Sequence, residues 1–264
     1  MTPPEGPPLL ARDGPGRATI TLNRPRHANR LHREDLLALQ AHFAELAADP
    51  LLRVVVLTGK DSDSGSVNHF CAGFNLQELE QDCAAGADPQ LFEHTVDALE
   101  ALPVPTLARL NGGVFGGATD LALACDFRVG VQGMVLRMPA ARLGLHYYPS
   151  GLQRYVSRLG LSATKRLFLL AETASAEELL YMGYLDKLVA PDALDAAVQA
   201  FATSLLAGAP LALAGMKRSL NEVARGGIDL PRLLGRVERC ARSADLREGL
   251  AAVSERRRPR FSGR

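Results

Sequence analysis

Chemistry in this chain concentrates between Asn111 and Asp126, NGGVFGGATDLALACD, where glycines at 112, 113, 116 and 117 precede a compact apolar pattern carrying Asp120. Glycine admits positive φ and lets the backbone come within van der Waals reach of a ligand or a second backbone, at an entropic cost. Leu121, Leu123, Ala124 and Cys125 read as a buried helix, so Gly116 and Gly117 fall where that helix begins. The unpaired N–H groups of a first helical turn, with about half a positive charge from the helix dipole, suit an anion or an oxygen becoming one. Asp120 lies one turn in, close enough to serve as acid or base on the same ligand. The stretch matches neither GxxxxGK[ST], since no lysine follows the glycines, nor GxGxxG. On these residues alone, a purely structural role in close helix packing stays open.

Positioning elements flank the cluster on both sides. Residues 9–11 and 17–22 surround Asp13-Gly-Pro-Gly16, which predicts a hairpin. Residues 32–48 carry Leu36, Leu39, Phe43 and Leu46 at helical spacing, and Pro50 closes the segment. Residues 54–57 form a β-branched run before Gly59, the pattern of a buried strand. A polar loop then leads to a second glycine-marked stretch, Phe70-Cys-Ala-Gly-Phe-Asn-Leu76. Residues 77–90 are loop-like, 91–102 helical, and 103–110 a strand that runs into the glycine cluster. Beyond Asp126, strands are expected at 127–131 and 134–138, irregular chain over 139–151, and a helix from Ser162. Ser175-Ala-Glu-Glu178 is a capping box, with Gly183 at the C-terminal stop of its helix. From Pro191 the chain reads as entirely helical, broken at 208–210, 226–227 and near Ser243. Strands first and helices last predict an α/β core over residues 1–190 and a helical region over 191–264.

The composition excludes several classes. With 264 residues and 47% hydrophobic content the chain can bury a sizeable core. Its 30 basic and 29 acidic residues leave a net charge of +1, which argues against nucleic acid or a membrane as partner. The N-terminal residues lack a signal-peptide apolar core and no apolar run reaches about 18 residues, so the cytoplasm is the expected compartment. Cys71, Cys83, Cys125 and Cys240 form no CxxC pair and read as buried thiols; the six histidines show no metal-ligand spacing. No metal site is expected.

Phe70-Cys-Ala-Gly-Phe-Asn-Leu76, Asn111-Gly-Gly-Val-Phe-Gly-Gly-Ala-Thr-Asp120 and Cys125-Asp126 together resemble the crotonase, or enoyl-CoA hydratase/isomerase, superfamily. Leu22-Asn-Arg-Pro25 with Asn29 extends the likeness toward the N-terminus. Leu246-Arg-Glu-Gly249 and Glu255-Arg-Arg-Arg-Pro-Arg-Phe261 carry it to the end of the chain. Each motif is moderately specific; in this order they are strong. The resemblance implies a crotonase-like spiral of strand-strand-helix turns, with a helical C-terminal trimerisation region that makes homotrimers or homohexamers. It also implies an acyl-CoA thioester as substrate, coenzyme A entering as part of that substrate with no separate cofactor.

Carried over by position, the resemblance gives the thioester oxygen two backbone donors, Phe74 N–H and Gly117 N–H. Ala72, Asn75 and Leu76 accompany Phe74 along the substrate, as Gly116 accompanies Gly117. Arg26, His27 and Ala28 match the segment beside the nucleotide of coenzyme A, and Arg256 matches a basic residue that reaches a neighbour's phosphates. Phe74 is bulkier than the small residue usual there, which narrows the acyl pocket.

Hydratases of the family hold one water between two glutamates. Here Asp120 occupies the first position and Ala140 the second, so half of that chemistry is absent. Asp120 is the expected base, and His146, Tyr147 and Tyr148 are the candidates to fill the gap, with pocket wall as their plainer role. The expected function is therefore a hydratase/isomerase-family enzyme working through an enolate. The alternatives are an isomerase, decarboxylase or hydrolase without hydratase activity, or a catalytically silent CoA-ester-binding subunit.

Overall fold

A computed structural model describes residues 4–62, 68–78, 80, 88 and 90–264. Two sheets run side by side through the core. The first has six strands in the order β1 (Leu9–Arg12), β2 (Arg17–Leu22), β3 (Val54–Gly59), β5 (Thr106–Leu110), β7 (Phe127–Val131) and β10 (Lys187–Val189). The second orders β4 (His69–Cys71), β6 (Gly113–Phe115), β8 (Val135–Arg137) and β9 (Thr173–Ser175). Successive strands alternate between the sheets, β3 then β4, β5 then β6, β7 then β8, which makes the chain a spiral.

The hairpin forms as expected, with Leu9 opposite Thr21 and antiparallel pairing through Arg12 and Ala18. Every residue of β3 is buried, and it pairs in parallel with β2 and β5. That is why its sequence is continuous Val and Leu rather than alternating, since a central parallel strand is covered on both faces. In α1 (Arg33–Ala47) the four expected apolar residues all face the core. Its first turn is held by carboxylates: Asp35 accepts His32 N–H at 2.8 Å and Glu78 accepts Arg33 N–H at 2.7 Å.

Next come α2 (Leu91–Glu100) and the short α3 (Ala118–Ala124), with Gly117 as the N-cap of α3. The helix expected from Ser162 begins earlier. It is α4 (Pro149–Lys165), broken at Gly160 (φ 78°, ψ 164°) and followed by a π-helical turn, Arg166–Leu170. Pro149, in its first turn, starts this helix where the sequence suggested irregular chain, because proline's fixed φ suits the first helical turn. Ser175 and Glu178 form the expected capping box on α5 (Ala176–Tyr181), and Gly183 follows with φ 77°. Of the loop expected over 77–90, residues 77, 78 and 80 are helical, and most of the rest, with Cys83, lies outside the described residues.

The C-terminal part is helical, as expected: α6 (Leu194–Leu206), α7 (Pro210–Ala224), α8 (Leu230–Ala241) and α9 (Ala244–Ser254). Helix α6 buries Leu194, Ala197, Val198 and Ala202 and packs on β3, β5 and β7. Lys217 of α7 is tied to Asp126 at 2.8 Å and to Val104 O at 2.8 Å.

Candidate functional site

The two glycine-marked stretches meet. Gly73 has φ 90°, and a Cβ there would sit 2.7 Å from Phe115 O and 3.3 Å from Gly117 N. Only glycine lets these turns touch. The four clustered glycines divide their work in a way the sequence did not separate. Gly116 alone of them has positive φ (55°), whereas Gly113 lies in β6 and a Cβ at Gly112 would fall 1.8 Å from Asn68 O. The first pair therefore serves strand packing and the second pair makes the turn.

Leu31 N–H donates to Gly73 O at 2.8 Å and Asn75 N–H donates to Leu31 O at 2.9 Å. Phe74 N–H, between them, has no acceptor among the described residues. Gly116 N–H donates to Arg137 O at 2.9 Å, and Gly117 O accepts from Asp120 N–H and Leu121 N–H at 3.1 Å each. Gly117 N–H, too, has no acceptor among the described residues. Two unpaired donors on adjoining turns form the arrangement that stabilises charge developing on a carbonyl oxygen.

Asp120 sits behind this pair with no solvent exposure. Its Oδ2 accepts from Arg154 Nη1 at 2.7 Å and from the Tyr148 hydroxyl, while its buried Oδ1 has no partner among the described residues. An unsatisfied buried oxygen costs about 1–3 kcal/mol. Arg154 is 1% exposed; burial opposes its charge, but Asp120, Tyr148 and Asp97 outweigh that and hold the guanidinium above its ordinary range. Gly151 lets this cluster close, since a Cβ there would lie 2.5 Å from the Tyr147 ring, 2.7 Å from the Tyr148 ring and 2.8 Å from Asp120 Oδ2.

Tyr147 and Tyr148 stack at 4.3 Å between centroids, and their hydroxyls are 3.3 Å apart. Burial first, then the Asp120 charge, pushes both hydroxyls far above the ordinary tyrosine range, so both remain protonated donors. His146 does not join them. It is exposed, with Nδ1 2.8 Å from Tyr147 O. Ala140 opens a 3-10 turn, Ala140–Leu143, and is buried in the same core cluster as Tyr147.

Phe92 of α2 was not foreseen as a site residue. Its ring lies over Gly117, where a Cβ would be 2.5 Å from Cζ, and between Phe74 (6.3 Å) and Tyr148 (6.1 Å). Arg154 was missed as well, although Leu152, Tyr155 and Leu159 have the spacing that would have placed it on a helix. Among the remaining expected residues, Ala28 (φ 51°) accepts Ala72 N–H at 2.9 Å, which joins the 26–28 segment to the Phe74 turn. Arg26 and His27 are exposed. Asn75 is buried and turned into its own segment, with Oδ1 accepting Gln77 N–H at 3.2 Å, whereas Leu76 is 55% exposed. Arg256 is exposed in the left-handed region (φ 54°), its guanidinium unpaired among the described residues. No cluster of three or more His, Cys, Asp or Glu able to hold a metal occurs among the described residues.

Residues 14–264 match the family model described as Enoyl-CoA hydratase/isomerase. YngF of Bacillus subtilis (strain 168), which carries that family name, is 32% identical over 93% of this chain and 94% of its own length. Carnitinyl-CoA dehydratase of Salmonella typhi is 31% identical over 97% of this chain and 98% of its own. A crystal structure of an enoyl-CoA hydratase/carnithine racemase from Magnetospirillum magneticum superimposes with a TM-score of 0.89 at 27% identity, covering 97% of this chain and 96% of that one. Likeness of this extent, in sequence and in fold, makes the chain a member of the enoyl-CoA hydratase/isomerase family.

Proposed function

We propose that this enzyme binds an acyl-CoA thioester with its carbonyl oxygen between Phe74 N–H and Gly117 N–H, and that Asp120 moves a proton at the adjacent carbon. The observation that carries this reading is the pair of unpaired donors beside a buried carboxylate with one free oxygen. Asp120 Oδ1 takes the α-proton, the C–H electron pair passes into the thioester carbonyl, and the resulting enolate oxygen lies between the two N–H groups. Each donor contributes about 3–4 kcal/mol, because the oxygen carries more charge in the transition state than in the ground state. Return of the proton to the same or a conjugated carbon completes the cycle and needs no second base. Ala140 offers no group to hold a water, so proton transfer is favoured over hydration. Coenzyme A belongs to the substrate and no separate cofactor is required. The core over residues 1–190 carries the site, and the helices over 191–264 assemble the chain into a homotrimer or homohexamer.

The test is exchange of the C2 proton of 3-hexenoyl-CoA in D2O, read by mass spectrometry alongside isomerisation to the 2-enoyl ester. Asp120→Asn should slow exchange by about 10³-fold, within the range for loss of a positioned base. Ester binding, read by calorimetry, should stay within about threefold, since the oxyanion donors are backbone. Unchanged exchange in this variant would remove Asp120 from the base role.

A further inference from the structure

The Asp120 carboxylate is the end of a chain of charges that runs through the buried Arg154 and Glu100 to Arg225, whose side chain is 43% exposed on the C-terminal helices. Arg154 Nη1 bonds Asp120 at 2.7 Å, and its Nη2 bonds Asp97 at 2.6 Å and Glu100 at 3.2 Å. Glu100, at the end of α2, is 4% exposed and also accepts from Arg158 Nη2 at 2.9 Å and from Arg225. Arg225 is the C-cap of α7, and its carbonyl accepts from Gln153 Nε2 at 2.7 Å, on the residue next to Arg154. Three carboxylates, Asp97, Glu100 and Asp120, thus meet three guanidiniums, those of Arg154, Arg158 and Arg225.

We propose that Glu100 and Arg225 are positioning residues, which fix the Arg154 guanidinium and through it the orientation of the Asp120 carboxylate. The inference rests on the reading of Asp120 as the base. Geometry supplies the reason. Arg154 touches Asp120 through one nitrogen only, so that contact alone would let both groups rotate about it. Holding Nη2 on Asp97 and Glu100 removes the rotation and leaves Oδ2 as the anchored oxygen and Oδ1 as the free one. Glu100 itself needs cations on both of its oxygens. Arg158 donates to Oε1, and Arg225, brought from α7, joins Arg154 Nη2 on Oε2 as its second donor. Docking of α7 therefore sets the geometry of a carboxylate to which it has no direct bond. Members of such a network hold one another's geometry, and among the described residues this one leaves two buried atoms without a partner, Asp120 Oδ1 and Arg154 Nε.

The experiment compares wild type, Glu100→Gln, Arg225→Ala, Arg225→Lys, the Glu100→Gln/Arg225→Ala double variant and Asp120→Asn in the 3-hexenoyl-CoA assay. A misoriented base lowers kcat and leaves ester binding alone. Glu100→Gln should lower kcat about 30-fold and Arg225→Ala about fivefold, each with KM changed less than about twofold. Arg225→Lys should recover kcat to within about twofold of wild type, and the double variant should be no slower than Glu100→Gln, since the two act in series. Unchanged kcat in Glu100→Gln and Arg225→Ala, with Asp120→Asn still inactive, would reject the relay alone. Parallel loss of kcat, ester binding and thermal stability, without lysine rescue, would reject it as well, because it marks a general packing role. Full activity in Asp120→Asn would overturn the base assignment and the relay with it.

Discussion

Asp120 gives one oxygen to Arg154 and Tyr148 and leaves the other free, and this asymmetry decides what the site can do alone. Syn addition of water needs one group to take the water's proton and a second to hold that water in place. With alanine at 140 the second is absent, and the proposed base, Asp120, is left to supply the first. Crotonyl-CoA hydration should therefore be slower by about 10²-fold or more than in a two-glutamate relative, the cost of one missing general catalyst. Ala140→Glu should raise it, with a lowered melting temperature because position 140 is buried. Hydration as fast in wild type as in a two-glutamate relative would show that one carboxylate suffices. Phe92 sets a second expectation. Its ring covers Gly117 and bridges Phe74 to Tyr148, so it limits the space above the proposed oxyanion donors. Phe92→Ala should raise kcat/KM for an eight-carbon over a four-carbon enoyl-CoA by about tenfold, the scale of a few methylenes in an apolar pocket. An unaltered chain-length ratio would place the acyl group elsewhere.

Turns and helices bring these residues together, and some of that assembly was legible in the sequence. Periodicity exposed α1 and β3, and turn chemistry exposed the β1-β2 hairpin and the 175–178 cap, because each signal is local. The second sheet was harder, since its strands span only three residues each, too few for alternation to show. Arg154 was invisible for another reason. Its partners Asp120 and Glu100 lie 34 and 54 residues away in the chain, and no local pattern encodes such a meeting. Gly73 lies between these cases: the motif marked it, but only the contact with Phe115 O and Gly117 N shows why glycine is needed. Gly73→Ala must strain a positive φ and separate two backbones, a cost of about 1–3 kcal/mol at this turn. Its kcat/KM should fall about 100-fold on the same scale, with the far-ultraviolet circular dichroism unchanged. At the other end of the chain, Glu248 holds the tail through Arg257 and Arg260 N–H, and Arg257 first pulls its carboxyl from an ordinary 4.5 down to about 2. A depressed carboxyl stabilises the docked tail above its unfolded value and loses that contribution as pH falls through its folded value. Tail docking should therefore weaken from about pH 4.5 to 2, seen as a falling protection of the Arg260 amide relative to its intrinsic exchange rate at each pH. Glu248→Gln should show the fast exchange at neutral pH, and equal exchange in both proteins would dismiss the latch.

At the scale of the whole molecule, the C-terminal helices expose several large apolar side chains. Met216, Leu220 and Val223 of α7 are 55%, 67% and 49% exposed; Leu230, Leu234 and Val237 of α8 are 57%, 55% and 57% exposed. Leu246, Leu250 and Val253 of α9 are 45%, 65% and 79% exposed. Each trio follows the spacing i, i+4, i+7, which lines one face of a helix, and these faces are exposed among the described residues. Contiguous faces of this kind mark protein contacts, and their place on the last three helices agrees with the trimer that the family resemblance implies. A second apolar group, Leu169, Leu170 and Tyr181 (67%, 53% and 94% exposed), lies on the segments joined by the Arg166–Glu178 ion pair at 2.5 Å. Two separate faces permit two kinds of contact, one closing a trimer and one pairing trimers. Light scattering at micromolar concentration should therefore give a mass near a multiple of about 85 kDa, three times the 28.3 kDa protomer. Leu234→Glu with Val237→Glu should reduce it to the protomer, because a charge on each buried apolar contact adds a desolvation cost that the interface cannot offset. If the wild type is a hexamer, Leu169→Ser with Tyr181→Ser should halve the mass and leave the trimer whole. A wild-type monomer or simple dimer would reject the assembly, and a mass insensitive to the α8 substitutions would move the trimer contact away from these helices.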